Sequence, residues 1–397
     1  MNQLYQVEIT DLAFGGEGVG RIGKMVCFVP FTAPGDIVQV EITQQKKKFL
    51  RGRALSFRQR SSLRVAPPCP YFGECGGCQW QHIDYQQQLE SKRSHLQHIM
   101  RKTAGIEYQV PSPLPSPNIY EYRRSARLKV NASGEVGFFR ENSNTVVPID
   151  HCMVMEPALN IEIPHIKGEI DAKLHAGVSS TPPRLPLEVE LSSVDGQKAD
   201  HNFLYPGEHS QQGFMQVNRG VNSRLQDFIR RHIEAYTSEG DTVLDLFCGD
   251  GNLSLQLAGT GVNVLGYDIS RPSIEKAQLA AAQQSAKETG RASSTARFIY
   301  RRAPFQKIMH TMAEKAPEMK AAILDPPRQG LGGKAGAIAT MGFPLVLYIS
   351  CIPAILARDL LFFIKAGYDI VTIQPMDMFP HTYHLETAVA LTLPAKK

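Results

Sequence analysis

The sequence predicts an α/β protein in which an open parallel sheet covered by helices follows a central α+β region and a small N-terminal β-barrel. Three observations carry that expectation. From Gln216 onward, continuous apolar runs alternate with helical segments, as they do when strands are buried on both faces. Residues 4–55 instead hold short alternating runs split by glycine turns. The 397 residues also exceed what one hydrophobic core usually organises, so two or three domains are expected, and the changes of pattern along the chain place three at residues 1–56, 57–205 and 206–397.

In the first region, VEI, MVCFVP, DIVQVEIT and FLRGRAL are separated by GGEGVGRIG and APGD, a series of short strands and tight turns that closes most simply as a barrel. Lys46, Lys47, Lys48, Arg51 and Arg53 fall on its last hairpin, where they can follow a phosphate backbone. The formal net charge is only +5, yet Ile42 to Gly73 holds eight Lys or Arg residues and no acid. Such local asymmetry points to an anionic partner.

The second region opens with a loop carrying Cys69, Cys75 and Cys78, followed by a polar, helix-prone stretch from Tyr85 to Lys102 and the stiff linker PSPLPSP at 111–117. Strand-like segments RLKV, GEVGFFR, VVPI and LEVELSS then run to about Leu204, and Arg123, Arg124, Arg127 and Lys129 repeat the basic theme. In the third region VLDLF, VLGYD, AAILD and LVLYIS are the strongest strands, and ETGRASSTA at 288–296 reads as a surface loop. No apolar run approaches the roughly 20 residues of a membrane span, and MNQLYQVEIT lacks the features of a secretory signal. A cytoplasmic protein with no membrane partner is expected. Seven cysteines in such a reducing compartment are read for metal binding or catalysis rather than disulfides.

Candidate chemistry gathers at the ends of the parallel strands. DLFCGDGN, residues 245–252, turns from strand to helix through two glycines, which permit a tight bend and close approach of a ligand to the backbone. Asp268 ends the next strand, where a carboxylate can accept hydrogen bonds from a ribose. The short GDG form differs from GxGxxG and argues against a dinucleotide. Asp325 begins DPPR and Cys351 sits in SCIP, each just past a strand. Ligands in open α/β sheets lie beyond the carboxyl ends of strands, so Asp245, Asp268, Asp325 and Cys351 are expected to share one crevice. Pro353 fixes a helix start beside Cys351, and a helix N-terminus lowers a thiol pKa. Cys27 and Cys248 read as inert core thiols. Cys69, Cys75 and Cys78 need a fourth soft ligand, and Cys152 is the well-placed one; four thiolates suit either zinc or an iron–sulfur cluster.

With FMQVN at 214–218, DLFCGDGN, DPPRQGL, SCIPAILARDL and MFPHTYHLETAVAL, the chain resembles the class I RNA 5-methyluridine methyltransferases, specifically the iron–sulfur type that acts on 23S ribosomal RNA. The resemblance spans nearly the whole chain. It implies a Rossmann-like methyltransferase domain, a central iron–sulfur domain and an RNA-binding barrel of the TRAM type. It further implies Cys351 as nucleophile and Glu386 as general base. Gln216, Phe247, Asn252, Asp268 and Asp325 would line the S-adenosyl-L-methionine pocket. Cys69, Cys75, Cys78 and Cys152 would hold a 4Fe–4S cluster of structural role. A monomer with RNA as partner is expected. Asp268 stands where the family usually has Glu, and Arg302 stands near where Asn or Asp commonly meets the adenine.

Trp80, Tyr122, Phe138, Phe139 and Phe379 are candidate platforms for splayed bases. Two other readings compete with 23S RNA methylation. One is an enzyme acting on the T-loop uridine of transfer RNA, relatives expected to lack barrel and cysteine motif. The other is a noncatalytic RNA-binding iron–sulfur protein, against which the intact Cys351 and Glu386 speak. A small-molecule or DNA methyltransferase would leave the basic barrel without a purpose.

Overall fold

The computed structural model describes residues 3–175, 185–208, 215–288 and 296–394. Phe214 of the FMQVN motif and most of the ETGRASSTA tract lie outside the described residues.

Five strands, β1 (Leu4–Leu12), β2 (Gly18–Ile22), β3 (Met25–Val29), β4 (Ile37–Gln45) and β5 (Phe49–Gln59), close into a barrel in the order β1-β2-β3-β5-β4. Alternation sends Val7, Ile9, Cys27, Val29, Val38 and Val40 inward, where they form its core. Lys46, Lys47 and Lys48 are exposed at the β4–β5 hairpin, while Arg51 and Arg53 pair with Glu17 and Glu41 at 3.2 and 2.9 Å.

Helix α1 (Tyr85–Ala104) follows the cysteine loop, capped by the Asp84 carboxylate and stopped by Gly105 in the left-handed region. It covers the expected helix-prone stretch and packs against the helix Pro353–Lys365. Strands β6 (Ser125–Val130), β7 (Val136–Phe139) and β8 (Val146–Pro148), helix α2 (Pro157–His175), and strands β9 (Glu188–Ser192) and β10 (Asp200–Leu204) build the central region. Its sheet runs β10-β9-β6-β7-β8, with α2 packed on it through Leu159, Ile163, Ile166 and Ile170.

The last region begins with α3 (Arg219–Tyr236), whose N-terminus is capped by Asn218. Then come β11 (Thr242–Leu246), β12 (Asn263–Asp268), α4 (Arg271–Glu288), β13 (Phe298–Arg302), α5 (Phe305–Lys315), β14 (Met319–Leu324), α6 (Lys334–Ala339), β15 (Leu345–Ser350), α7 (Pro353–Lys365), β16 (Asp369–Met376) and β17 (Glu386–Thr392). Their seven-stranded sheet has the order β13-β12-β11-β14-β15-β17-β16. The four strong apolar runs are its parallel strands β11, β12, β14 and β15; every residue of β15 is buried. Two apolar layers cover its two faces.

One feature of this sheet positions the chemistry. β17 runs antiparallel to β15, with Ser350 opposite Thr387. The carboxyl end of β15 therefore meets the amino end of β17, which brings Cys351 and Glu386 to the same rim. β17 lies inside the sheet, and β16 forms its edge. No helix among the described residues is long and apolar enough to cross a membrane.

Candidate active site and cysteine cavity

β11 delivers Phe247 into a tight turn. Phe247 adopts φ 65°, a left-handed conformation that is costly for a side chain bearing a Cβ and is kept only where the surroundings fix it. Its amide donates to the Tyr267 carbonyl at 2.9 Å, and its ring lies parallel to Phe305 with centroids 6.2 Å apart. Gly249 and Gly251 continue the bend at φ 55° and 84°. A Cβ at Gly249 would meet nothing within 4 Å, so the backbone is open there to a ligand.

Asp268 reaches this turn from β12. Its Oδ2 accepts from the Gly249 amide at 3.0 Å and its Oδ1 from the Ser270 amide at 2.7 Å. Each oxygen keeps further acceptor capacity. Asp245 is fully buried beneath the turn; Ser254 donates to its Oδ2 at 2.5 Å, and its Oδ1 has no protein partner. Burial first, then the neighbouring Asp325, Asp268 and Asp250 carboxylates, push the Asp245 carboxyl up to about 7, against the Ser254 bond. Burial likewise lifts Asp325 to about 7. Gln216 is buried just before α3, its carbonyl bound by Arg124 Nε at 2.7 Å. Asn252 is differently engaged: it exchanges two amide hydrogen bonds of 2.9 Å with Asn222 of α3, and Gln226 donates to its carbonyl at 2.8 Å. Its visible task is to lock the turn against α3.

At the rim, Pro353 occupies the first turn of α7, as its sequence position predicts, and Ser350 Oγ accepts from the Ile352 amide at 3.2 Å. The Cys351 thiol is not lowered, however. Burial pushes it up to about 11, the Glu386 and Asp325 carboxylates add to that, and the Arg328 guanidinium opposes them. The helix-terminus effect expected from the sequence is outweighed by desolvation and like charge. Glu386 is 4% exposed, and burial holds its carboxyl well above the usual range, with Asp325 raising it further and Arg328 lowering it. Cys351, Glu386, Asp325 and Arg328 thus act on one another, and Asp325 also acts on Asp245. A buried carboxyl of raised pKa that acts on a nearby thiol can exchange protons with a bound group.

The loop into Glu386 is fixed from outside the sheet. Lys92 and Asp377 are wholly buried and bond at 2.6 Å; Lys92 also donates to the Phe379 carbonyl at 3.1 Å, and Tyr85 donates to Asp377 at 2.8 Å. Gln88 accepts from the His381 amide at 2.9 Å, and the Gln79 and Trp80 amides donate to the His381 carbonyl at 2.9 Å each.

Cys69, Cys75, Cys78 and Cys152 line one cavity of about 190 Å³ together with Tyr71 and Phe138. Cys152 is placed by Asn160, which accepts from its amide at 2.8 Å and donates to its carbonyl at 3.1 Å. The Gly77 amide points to Cys75 Sγ at 3.4 Å. Burial raises the thiols of Cys75 and Cys78, to about 11 and 12, and that of Cys152. Among the described residues, no three His, Cys, Asp or Glu side chains are gathered as a site for a single metal ion. All seven cysteines are free thiols.

Several sequence expectations change. Trp80 and Tyr122 are buried, so neither offers a face to a base; the Trp80 indole donates to the Gly16 carbonyl at 3.0 Å, and the Tyr122 hydroxyl to the Pro380 carbonyl at 3.2 Å. In the basic group of β6, Arg127 and Lys129 pair across the strands with Glu188 and Glu190, and Arg124 holds the Gln216 carbonyl. Arg302 donates to the Ile269 carbonyl at 3.0 Å, beside an Ile269 side chain that is 70% exposed. The sequence reading missed Arg328 as a charge acting on the rim, although DPPR was in view. It also missed Lys92, a residue type rarely buried.

The model of the tRNA (Uracil-5-)-methyltransferase family matches residues 180–393, and that of the TRAM domain matches residues 2–55. Two curated relatives, from Vibrio parahaemolyticus and Vibrio campbellii, are each named 23S rRNA (uracil(1939)-C(5))-methyltransferase RlmD. Both are 28% identical, over 96% of this chain and 94% of their own length. The crystal structure of Pyrococcus abyssi tRNA (uracil-54, C5)-methyltransferase with S-adenosyl-L-homocysteine shares the fold: TM-score 0.67, 23% identity, 98% of this chain and all of that one. That coverage leaves too few residues over for a barrel of residues 4–59 to be absent, so tRNA-acting relatives do not all lack it.

Proposed function

Because the chain belongs to the tRNA (uracil-5-)-methyltransferase family, we propose that it methylates C5 of a uridine in 23S ribosomal RNA, with Cys351 as nucleophile and Glu386 as base. The observation that carries this reading is the meeting of Cys351 and Glu386 at one rim of the sheet, the rim at which β11 also ends in the open glycine turn. The choice of 23S RNA is supported by the names of the Vibrio relatives and their coverage of almost the whole chain.

The Cys351 thiolate adds to C6 of the uracil, which makes C5 an electron-rich enolate carbon. S-adenosyl-L-methionine supplies an electrophilic methyl group, and C5 takes it as the C–S bond breaks. Glu386, ionised, removes the C5 proton, and the Cys351–C6 bond breaks to return the thiolate. The raised pKa of Glu386 suits a base that must hold a proton after taking it. Gln216, Phe247, Asn252, Asp268 and Asp325 would hold the methyl donor, Asp268 through the ribose and Asn252 by keeping the turn in place. The groups present fit it: an open backbone turn, an unpartnered buried Asp245 oxygen able to accept, and the apolar, exposed Ile269.

The thiol-lined cavity is proposed to hold a 4Fe–4S cluster on Cys69, Cys75, Cys78 and Cys152. Four thiols facing one cavity suit such a group, which would cross-link the cysteine loop to the central sheet. The division of labour follows: residues 1–56 bind RNA, 57–205 carry the cluster and 206–397 transfer the methyl group. We infer a protein that works in the cytoplasm as a monomer.

A second reading, methylation of transfer RNA, is favoured by the shared fold of the Pyrococcus enzyme. One experiment separates them: anaerobically purified protein, labelled S-adenosyl-L-methionine, unmodified 23S RNA and transfer RNA, with the product mapped. Label as 5-methyluridine in 23S RNA alone is the expected result. Label in transfer RNA alone overturns the substrate, and label in neither, with iron loading intact, overturns the enzymatic reading. In the same assay Cys351→Ala transfers no methyl group yet retains S-adenosyl-L-methionine, while Glu386→Gln leaves a covalent protein–RNA adduct on a denaturing gel.

A further inference from the structure

A target uridine must leave its stack to reach a thiol, and the neighbouring nucleotide then loses a partner. We infer that Phe14 and Tyr383 form a stacking platform for one such unpaired base beside the target, an inference that rests on the RNA-methylating reading above. Phe14 lies in the turn between β1 and β2 and is 40% exposed. A lone exposed ring is ordinary, but this one is joined to the active rim. Its edge meets Tyr383 with centroids 5.4 Å apart at 70°, and Tyr383 is tilted over His384 at 4.3 Å. His384 feels Arg328, the same guanidinium that acts on Cys351 and Glu386. Three rings thus run from the barrel surface to His384, two residues before Glu386.

The platform is held ready. Gly16, at φ 97°, lies so close to the cysteine loop that a Cβ on it would stand 2.7 Å from Gln79 Cβ, and the buried Trp80 indole binds its carbonyl. His95 of α1 bonds the Leu12 carbonyl at 2.6 Å on the other side of the turn. A pinned ring loses little freedom when a base stacks on it. Cationic side chains lie within the same barrel: Glu17 of this turn is neutralised by Arg51 of β5, and the exposed Lys46, Lys47 and Lys48 lie at that strand's start. Phosphates can run along the barrel while the base they carry rests on Phe14.

The test uses full-length protein and a short single-stranded RNA carrying one uridine, with 2-aminopurine placed on either side of it in separate probes. Unaltered protein should quench one of the two probes. Phe14→Ala and Phe14→Leu should lose that quenching and weaken RNA binding about 5- to 100-fold. KM should rise more than kcat falls, S-adenosyl-L-methionine affinity should not change, and Phe14→Trp should restore binding. Phe14→Leu keeps an apolar side chain in place, so a packing role alone would survive in it. Quenching and affinity in both variants equal to those of the unaltered protein, or full recovery of both in Phe14→Leu, would overturn the platform. Quenching without methyl transfer would leave the platform standing and remove the uridine reading; methyl transfer with neither probe quenched would do the reverse.

Discussion

Replacing Lys92 by Met tests how the loop into Glu386 is held. The substitution keeps most of the side-chain volume but removes the ammonium that bonds Asp377 at 2.6 Å and the Phe379 carbonyl at 3.1 Å. Asp377 would remain at zero exposure with the Tyr85 hydroxyl as its side-chain donor. Burial pulls the Lys92 ammonium below its ordinary pKa and Asp377 opposes this, so the pair is a desolvated one rather than a surface contact. Breaking such a pair on one side costs about 3–5 kcal/mol, whereas replacing both partners by apolar groups is often neutral. Lys92→Met should therefore destabilise the protein by about 3–5 kcal/mol, and Lys92→Met/Asp377→Leu should recover most of that loss. Because a chain of several domains need not unfold in one step, amide exchange of residues 377–386 is read alongside urea unfolding. Local exchange should accelerate by about two to three and a half orders of magnitude in the single variant. A single variant within about 0.5 kcal/mol of the unaltered protein would refute the reasoning, since that is the scale of a surface substitution. So would a double variant no better than the single.

Two further outcomes are expected. Alkylation of Cys351 by iodoacetamide should rise with pH through the alkaline range toward an apparent pKa of about 11; Glu386→Gln should move the profile to lower pH, because it removes a carboxylate that raises the thiol, and Arg328→Met should move it higher. Unmoved profiles would mean that these groups do not act on the thiol. Cys78→Ala should cut the iron bound per chain in anaerobic preparations, measured by metal analysis and visible absorption, whereas Cys248→Ala, remote from the cavity, should leave it unchanged; equal iron in both would remove Cys78 from the ligand set.

What the sequence made legible follows from where burial leaves a mark. Strands β11, β12, β14 and β15 are covered on both faces, so they appear as uninterrupted apolar runs, and the rule that ligands gather beyond their carboxyl ends placed Asp245, Asp268, Asp325 and Cys351 in one neighbourhood. Glu386 was reached through resemblance alone: spacing cannot show that β17 returns antiparallel against β15. Helix α1 was recognisable as a helix, but its wholly buried Lys92 was not, because QQQLESKRSH has the composition of a solvated face. Trp80 and Tyr122 resemble base platforms in composition and are core in fact, while Phe14 was passed over, because a single aromatic in a turn carries no pattern. The helix start at Pro353 was correct, yet the thiol beside it was misjudged, since local geometry says nothing about the carboxylates that tertiary structure brings near.

The interior place of β17 has a consequence for how the protein is made. During synthesis β15 leaves the ribosome well before Glu386–Thr392 does, and until then this wholly apolar strand has one flank unpaired, an invitation to pair with another chain. β17, translated after β15, both closes that flank and delivers Glu386, the base proposed above. Nascent chains should therefore bind RNA through the barrel before they can react with it, and a chain released before residue 386 would be sticky and inert rather than partly active.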